Sequence, residues 1–452
     1  MEQFFHLKEN RTTVRTEVIA GITTFMTMAY ILAVNPNLLG KTGMDGGSVF
    51  TATALASAIA SFAMALLANL PFALSAGMGL NAYFTYTVCM GMGYSWEVAL
   101  AAVCVEGLIF IVLSLTNVRE AIFNAIPGEL KLAVSVGIGL FITFIGLQNA
   151  HIVVDGATLV TLFSFKDSVT SGTFSSEGIT VLLALIGMLI TALLVIKNVK
   201  GNILLGILIT WGLGILCQLF GLYVPNPDAR FYSLIPSSLI AMPASVTPTL
   251  FKMDFSDLLS LNFVVVVFSF LFVDIFDTLG TLIGCASKAD MLYKDGKLPR
   301  IKGALLADAI GTTVGAVLGT STITTFVESS SGIAEGGRTG LTSIVVGFLF
   351  LLSLFFSPIF LAIPSFATAP ALIIVGFFMM QQVSKIDWSN MLTAIPSFIC
   401  IFAMPFAYSI SEGIAFGIIS YTVLHLAAGK GKNVTVLMYV LSFIFILKYI
   451  FL

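Results

Sequence analysis

Six carboxylates stand inside otherwise apolar stretches of this sequence: Glu106, Asp274, Asp277, Asp308, Glu328 and Glu335. At the centre of a bilayer an acid costs about 2.5 to 3.5 kcal/mol on insertion scales, so such residues face a cavity or a partner and are functional candidates. In SFLFVDIFDTLGTLIGCASK the residues Asp274, Asp277, Thr281 and Gly284 recur at intervals of three and four, which draws a polar stripe along one face of a greasy helix. Glu328 opens a second polar stretch, ESSSGIAEGGRTG, between the apolar runs AIGTTVGAVLG and LTSIVVGFLFLLSLFF. A desolvated carboxylate can take up a proton, and its oxygens accept hydrogen bonds from ligand N–H groups. That chemistry suits proton-coupled uptake of a small N–H-rich molecule. Glu106 and Asp308 read as acids that bond neighbouring helices, and Glu335 as a membrane-edge residue beside Arg338.

The residues that are missing narrow the choice. The interiors of the apolar spans contain no Arg or Lys, so an anionic substrate would meet carboxylates without compensating cations, and a neutral or cationic substrate is expected. The three histidines, His6, His151 and His425, fall at span ends or in a tail. No GxSxG, HExxH or P-loop pattern occurs, which argues against an intramembrane hydrolase or an ATP-driven pump. Cys89, Cys104, Cys217, Cys285 and Cys400 lack CxxC or metal-ligand spacing and read as small core residues. No cofactor, no metal and no nucleic-acid partner is expected, and the chain is not read as an enzyme.

These acids need a membrane scaffold. The 452 residues are 58% hydrophobic and 10% charged, well below the roughly one quarter charged residues of a soluble domain. Apolar runs long enough to cross a hydrocarbon core are predicted at 17–35, 48–69, 72–90, 96–115, 130–150, 178–197, 201–220, 258–285, 302–318, 320–336, 339–357, 364–382, 389–407 and 410–428. A further run at 434–452 is either another span or an interfacial helix. The N-terminal MEQFFHLKENRTTVRTE is polar for too long to be a secretory signal, so an uncleaved cytoplasmic start is expected. With the N-terminus inside, Lys8, Arg11, Arg15, Arg119, Lys131, Lys197, Lys200, Lys288, Lys294, Lys297, Arg300, Lys302, Arg338, Lys385, Lys430 and Lys432 fall in cytoplasmic loops. Lys41, Lys166, Arg230 and Lys252 fall outside and Lys448 is unassigned, so the positive-inside bias supports this count and orientation.

The polar segment 221–257 divides seven spans from seven. An odd number in each half requires homologous halves to be inverted, so 1–220 reads as one repeat, 221–257 as an extracellular linker and 258–452 as the second repeat. The third span, PFALSAGMGLNAYFTYTV, and the tenth, LGTSTITTFVESSSGIAEG, both break their apolar run with Gly, Ser or Thr. A shift of 247 residues carries Asn81 onto Glu328, Thr27 onto Asp274 and Tyr30 onto Asp277. Paired interrupted segments are the usual pointer to a transporter's binding site.

GMGLNAYF (77–84), DIFDTLGT (274–281), ESSSGIAEGGRTG (328–340) and TTFMTMAYILAVNP (23–36), in that spatial logic and over nearly the whole chain, resemble the AzgA-like purine permeases, the hypoxanthine/guanine/adenine branch of the nucleobase-cation symporter-2 group. The resemblance implies an all-α polytopic fold of fourteen segments in a seven-plus-seven inverted repeat. A core domain (spans 1 to 4 and 8 to 11) would move against a gate domain (5 to 7 and 12 to 14). Spans 3 and 10 would begin as short strands, each followed by a half-helix whose N-terminus adds a positive dipole end. Related uracil and xanthine carriers show ExxG(H/D) and (Q/E)NxG where this chain has Asp277-Thr-Leu-Gly280-Thr281 and Glu328-Ser-Ser-Ser-Gly332, so a histidine relay at 281 is absent.

Function follows as an expectation: a proton-coupled purine importer in the plasma membrane, taking guanine or hypoxanthine first and adenine second. Glu328 and Asp277 would accept base N–H groups, and Asn81 would complete edge recognition. Thr281 and Ser329 would make lesser contacts, and Asp274 would support the site or share the proton with Asp277 and Glu328. The partners are then the base, the proton and the bilayer, with a homodimer left open. The alternative is an anion exchanger or channel-like protein on the same fold.

Overall fold

A computed structural model describes residues 2–116, 126–156, 159–226, 231–288, 291 and 298–451. Arg119, Arg230, Lys294 and Lys297, which enter the charge bias, lie outside the described residues. Eleven helices among the described residues are long and apolar enough to cross a membrane. The interrupted spans 3 and 10 and the shorter helix Met391–Phe406 complete fourteen segments. The last apolar run is a helix, Val436–Phe451, laid along span 14 (Ile410–Ala427), where Ser442 donates to the Thr422 hydroxyl at 2.7 Å.

Local chemistry sets the ends of these helices. Thr13, Asp45, Ser95 and Thr339 each accept a backbone N–H of the first turn that follows, supplying the side-chain oxygen that an N-terminus otherwise lacks. Span 1 is not continuous: the helix Val14–Met28 gives way at Ala29 and Tyr30 to a second helix, Ile31–Leu39. Leu189, Leu193, Phe348, Leu352 and Phe406 remain more than half exposed on outer helix faces, where the solvent is lipid tails.

The helices fall into two packed groups. Span 4 (Trp96–Leu115) lies on span 9 (Ile301–Leu318), and span 2 (Gly46–Ala63) on spans 9 and 11 (Gly340–Ser353), with span 11 also against span 1. Separately, span 5 (Gly128–Asn149) packs on spans 12 (Ser365–Met380) and 13 (Met391–Phe406), span 13 on 14, and span 6 (Ile179–Ile196) on spans 7 (Asn202–Leu219) and 12. With lipid tails as apolar as leucine, close backbone approach must hold such crossings. A Cβ added at Gly376 would lie 2.4 Å from the Gly139 carbonyl oxygen, so spans 5 and 12 meet through glycine.

Four strands are described: β1 (Leu74–Ala76), β2 (Val153–Gly156), β3 (Leu159–Leu162) and β4 (Ile323–Thr325). β2 and β3 form a hairpin after span 5. β1 and β4 belong to spans 3 and 10 and pair antiparallel with each other, in the register Leu74↔Thr325, Ser75↔Thr324 and Ala76↔Ile323.

Candidate functional site

Backbone in strand form at membrane depth must find partners without water. The β1–β4 ladder is lengthened by Gly77 N–H to the Thr322 carbonyl (3.1 Å) and Phe326 N–H to the Ala73 carbonyl (3.0 Å). Groups on the outer edges are met by hydroxyls of the surrounding helices. Ser343 of span 11 donates at 2.8 Å near the carbonyls of Leu70 and Phe72, Thr312 of span 9 donates to the Ile323 carbonyl (2.9 Å), and Ser61 of span 2 accepts the Leu74 N–H (3.3 Å). Small hydroxylated residues in spans 2, 9 and 11 therefore exist to hold two strands that lipid would not tolerate.

Glu328 stands where β4 turns into the half-helix Ser329–Ala334. It occupies the cap position without capping, because its carboxylate turns away to span 1, where the Tyr30 hydroxyl donates to Oε1 at 2.8 Å. Thr27, one turn earlier, reaches the Glu328 carbonyl at 3.5 Å. Span 8 (Leu261–Lys288) supplies Asp277, half-buried like Glu328 and with the Thr324 side chain within hydrogen-bonding reach. Gly77 sits beside it: a Cβ there would lie 3.5 Å from Asp277 Oδ2 and 2.5 Å from Thr324 Cγ2. Thr281, one turn along span 8, is also half-buried, and a Cβ at the neighbouring exposed Gly280 would meet open space.

The remaining predicted residues lie inside the protein. Asp274 is fully buried, and Thr278 bridges it to Asp308 with its hydroxyl 3.0 Å from Asp274 Oδ1, 2.7 Å from Asp308 Oδ1 and 2.7 Å from Thr324 Oγ1. Spans 8 and 9 and β4 are thus tied through one threonine. Asn81 is buried in the half-helix Met78–Ala82, where its Oδ1 accepts from Ser321 and its amide reaches back to the Ala76 carbonyl. Ser329 is buried and accepts the Ala73 N–H at 3.0 Å. Glu106 takes the Thr322 hydroxyl at 2.7 Å. The structure therefore brings Glu328, Asp277 and Thr281 to half-buried positions, while Asn81, Ser329 and Asp274 are enclosed by protein partners.

The 247-residue shift needs correction. Span 3 passes from strand to helix through Gly77 alone, whereas span 10 interposes Phe326, Val327 and Glu328. Paired elements consequently drift out of that register, and Asn81 lies within its half-helix while Glu328 precedes its own. Glu335 also differs from expectation. It pairs with Lys200 at 2.5 Å, because Arg338 spends its guanidinium on the carbonyls of Ile333 and Gly337 (2.7 Å each).

Three contributors escape the sequence reading. Tyr30 is marked in the sequence only by the shift onto Asp277, and Thr278, which follows Asp277, is not marked at all. Glu17 is fully buried and accepts the N–H groups of Arg338 (2.8 Å), Thr339 (3.3 Å) and Thr342 (3.2 Å) and the Thr342 hydroxyl (2.6 Å), capping the start of span 11 from another helix. In the sequence it stands in the first turn of span 1 with nothing to mark it. Among the described residues no group of His, Cys, Asp and Glu is arranged to hold a metal ion.

Comparison with known proteins agrees with this architecture. Over 89% of this chain and 97% of the other, the structure superposes on the transmembrane domain of a cyanobacterial bicarbonate transporter, BicA, with a TM-score of 0.61 at 15% identity, a likeness of fold. The guanine/hypoxanthine permease PbuG of Bacillus subtilis is 45% identical over all of both chains. The adenine permease AdeP of Escherichia coli is 40% identical, covering 100% of this chain and 96% of the relative. Since the family model described as Permease family also matches residues 15–416, this multi-pass membrane protein, a transporter and not an enzyme, belongs to the Permease family.

Proposed function

We propose that the chain imports purine nucleobases across the plasma membrane, guanine and hypoxanthine ahead of adenine, by proton-coupled alternating access. The observation that carries this reading is the pair of half-buried carboxylates, Glu328 and Asp277, beside a strand crossing in spans whose interiors hold no Lys or Arg. Two acceptor groups there suit a flat neutral ring with N–H edges and oppose an anion. Guanine fits best, since N1–H and the 2-amino group together match one carboxylate, and adenine lacks the N1–H. The names of PbuG and AdeP support the substrate class. Thr281 makes a lesser contact, whereas Asn81 and Ser329 act by fixing the two half-helices. Asp274 supports Asp277 or shares the proton with it.

Residues 1–220 and 258–452 act as the inverted repeats, 221–257 links them outside, and the N-terminus lies in the cytoplasm. A proton taken from the outer side would be released inside as the core group shifts against the gate group. Proton and base must then favour the same transition, because a ligand shifts an equilibrium only through its differential affinity for the two states. Radiolabelled uptake in purine-transport-deficient cells, competed with guanine, hypoxanthine, adenine, xanthine and uracil, tests the substrate. Initial uptake should rise as external pH falls from about 8 to about 6 and collapse with a protonophore. Proteoliposome uptake that requires a sodium gradient and ignores a proton gradient would overturn the coupling.

A further inference from the structure

The break in span 1 serves Glu328 through Tyr30, whose hydroxyl donates to Oε1 at 2.8 Å, while the Thr27 hydroxyl lies 2.8 Å from the Thr24 carbonyl of its own helix and 3.5 Å from the Glu328 carbonyl. Tyr30 is 1% exposed, and its ring lies 6.5 Å from that of Phe326, the residue that leads out of β4. Such a side chain has little freedom to redirect its hydroxyl. The phenol has one proton to donate, and among the described residues the acceptor recorded for it is Glu328 Oε1. A hydrogen bond donated to a carboxylate favours its ionised form, and a proton on Oε1 would compete for the position that this buried O–H fills.

We infer that Tyr30 is a specificity-determining positioning residue, which favours the ionised, hydrogen-bond-accepting form of Glu328 and thereby favours purines that carry N1–H over adenine. The inference rests on the reading of Glu328 as the group that meets the base. A 6-oxopurine offers a donor at N1 to the remaining lone pairs of that carboxylate. Adenine presents a bare N1, so two acceptors face each other, and a site built to receive a hydrogen bond rejects the ligand that lacks it. The arrangement also gives the first repeat a share in recognition: the hydroxyls of Thr27 and Tyr30 approach Glu328, while the acids Asp274 and Asp277 come from the second repeat.

The test is Tyr30→Phe, which keeps the ring and removes the donor. KM for guanine and hypoxanthine should rise about tenfold, the loss of one hydrogen bond to a charged group, with maximal velocity little changed and the guanine-to-adenine preference reduced by a similar factor. Thr27→Val serves as the comparison. It removes a hydroxyl bond within span 1 and the long approach to the Glu328 carbonyl, keeps the Tyr30 contact to the carboxylate, and should leave the preference intact whatever it does to rate. Stabilisation of the purified protein against thermal unfolding by guanine and by adenine gives the same ratio without transport. An unchanged KM and preference in Tyr30→Phe, or equal losses for every base in both variants, would overturn the inference. Absence of any purine uptake or binding by the unaltered protein would remove the underlying reading and this inference with it.

Discussion

Spans 3 and 10 occupy equivalent places in the two halves and hydrogen-bond to each other, yet they differ in the turn that follows the strand. In span 3 one glycine, Gly77, joins β1 to the half-helix, with β4 and Asp277 close against it. Span 10 uses three residues, and the last of them is Glu328. Inversion thus builds a symmetric crossing of backbone, while the extra turn makes the chemistry one-sided. In span 3 the polar side chain that matches in type, Asn81, is spent on Ser321 and Ala76. The comparison teaches that repeat symmetry explains why two strands meet, and says little about which of them carries a binding group.

The largest effects should fall on the span 10 side. Glu328→Ala and Asp277→Ala should each abolish uptake with protein still present in the membrane, since neither side chain belongs to the β1–β4 backbone ladder, although Glu328→Ala lowers stability by leaving the Tyr30 hydroxyl without that acceptor. Near wild-type uptake by either variant would end that residue's role. Asp277→Asn should be milder for binding than for proton-driven accumulation, because the amide keeps the size of the side chain but cannot titrate. Counterflow exchange measured beside net accumulation separates the two, and equal loss of both would argue against a proton on Asp277.

On the span 3 side, Gly77→Ala should reduce transport severely, because its Cβ would intrude to 2.5 Å of Thr324 Cγ2 and force the strands apart. Gly280→Ala, on span 8, adds the same atom to open space and should fold as the parent does. Comparing melting temperatures in detergent decides this, and equal melting of the two variants would mean that the crossing is looser than its geometry. Asn81→Ala should cost about 1 to 3 kcal/mol of stability by leaving buried groups unmet, with no change in the ranking of purines. A changed ranking at unchanged stability would restore Asn81 to direct recognition and make the halves alike. The smallest effect belongs to Ser329→Ala, which removes one bond to the Ala73 N–H and should cost about 1 kcal/mol in the same melting assay.

Composition and apolar run length by themselves determined a polytopic membrane protein and where most spans lie, because hydropathy over some twenty residues is a local property that burial in lipid reads directly. Intramembrane acids were legible for the same reason: Asp277 and Glu328 stand out wherever charge is expensive. The strand breaks in spans 3 and 10 were also visible, since Gly, Ser and Thr there weaken a helix. Partnership was not legible. Whether a polar residue faces a ligand or a neighbour depends on what the opposite helix brings, and Asn81 met Ser321 across 240 residues of chain while Tyr30 met Glu328 across 298. Glu17 shows the same limit: nothing in the sequence marks it, yet it serves the start of span 11. Such pairings are set by packing between distant segments, so only the tertiary structure decided which of the acids and amides remained open to bind and which were consumed in holding the two strands together.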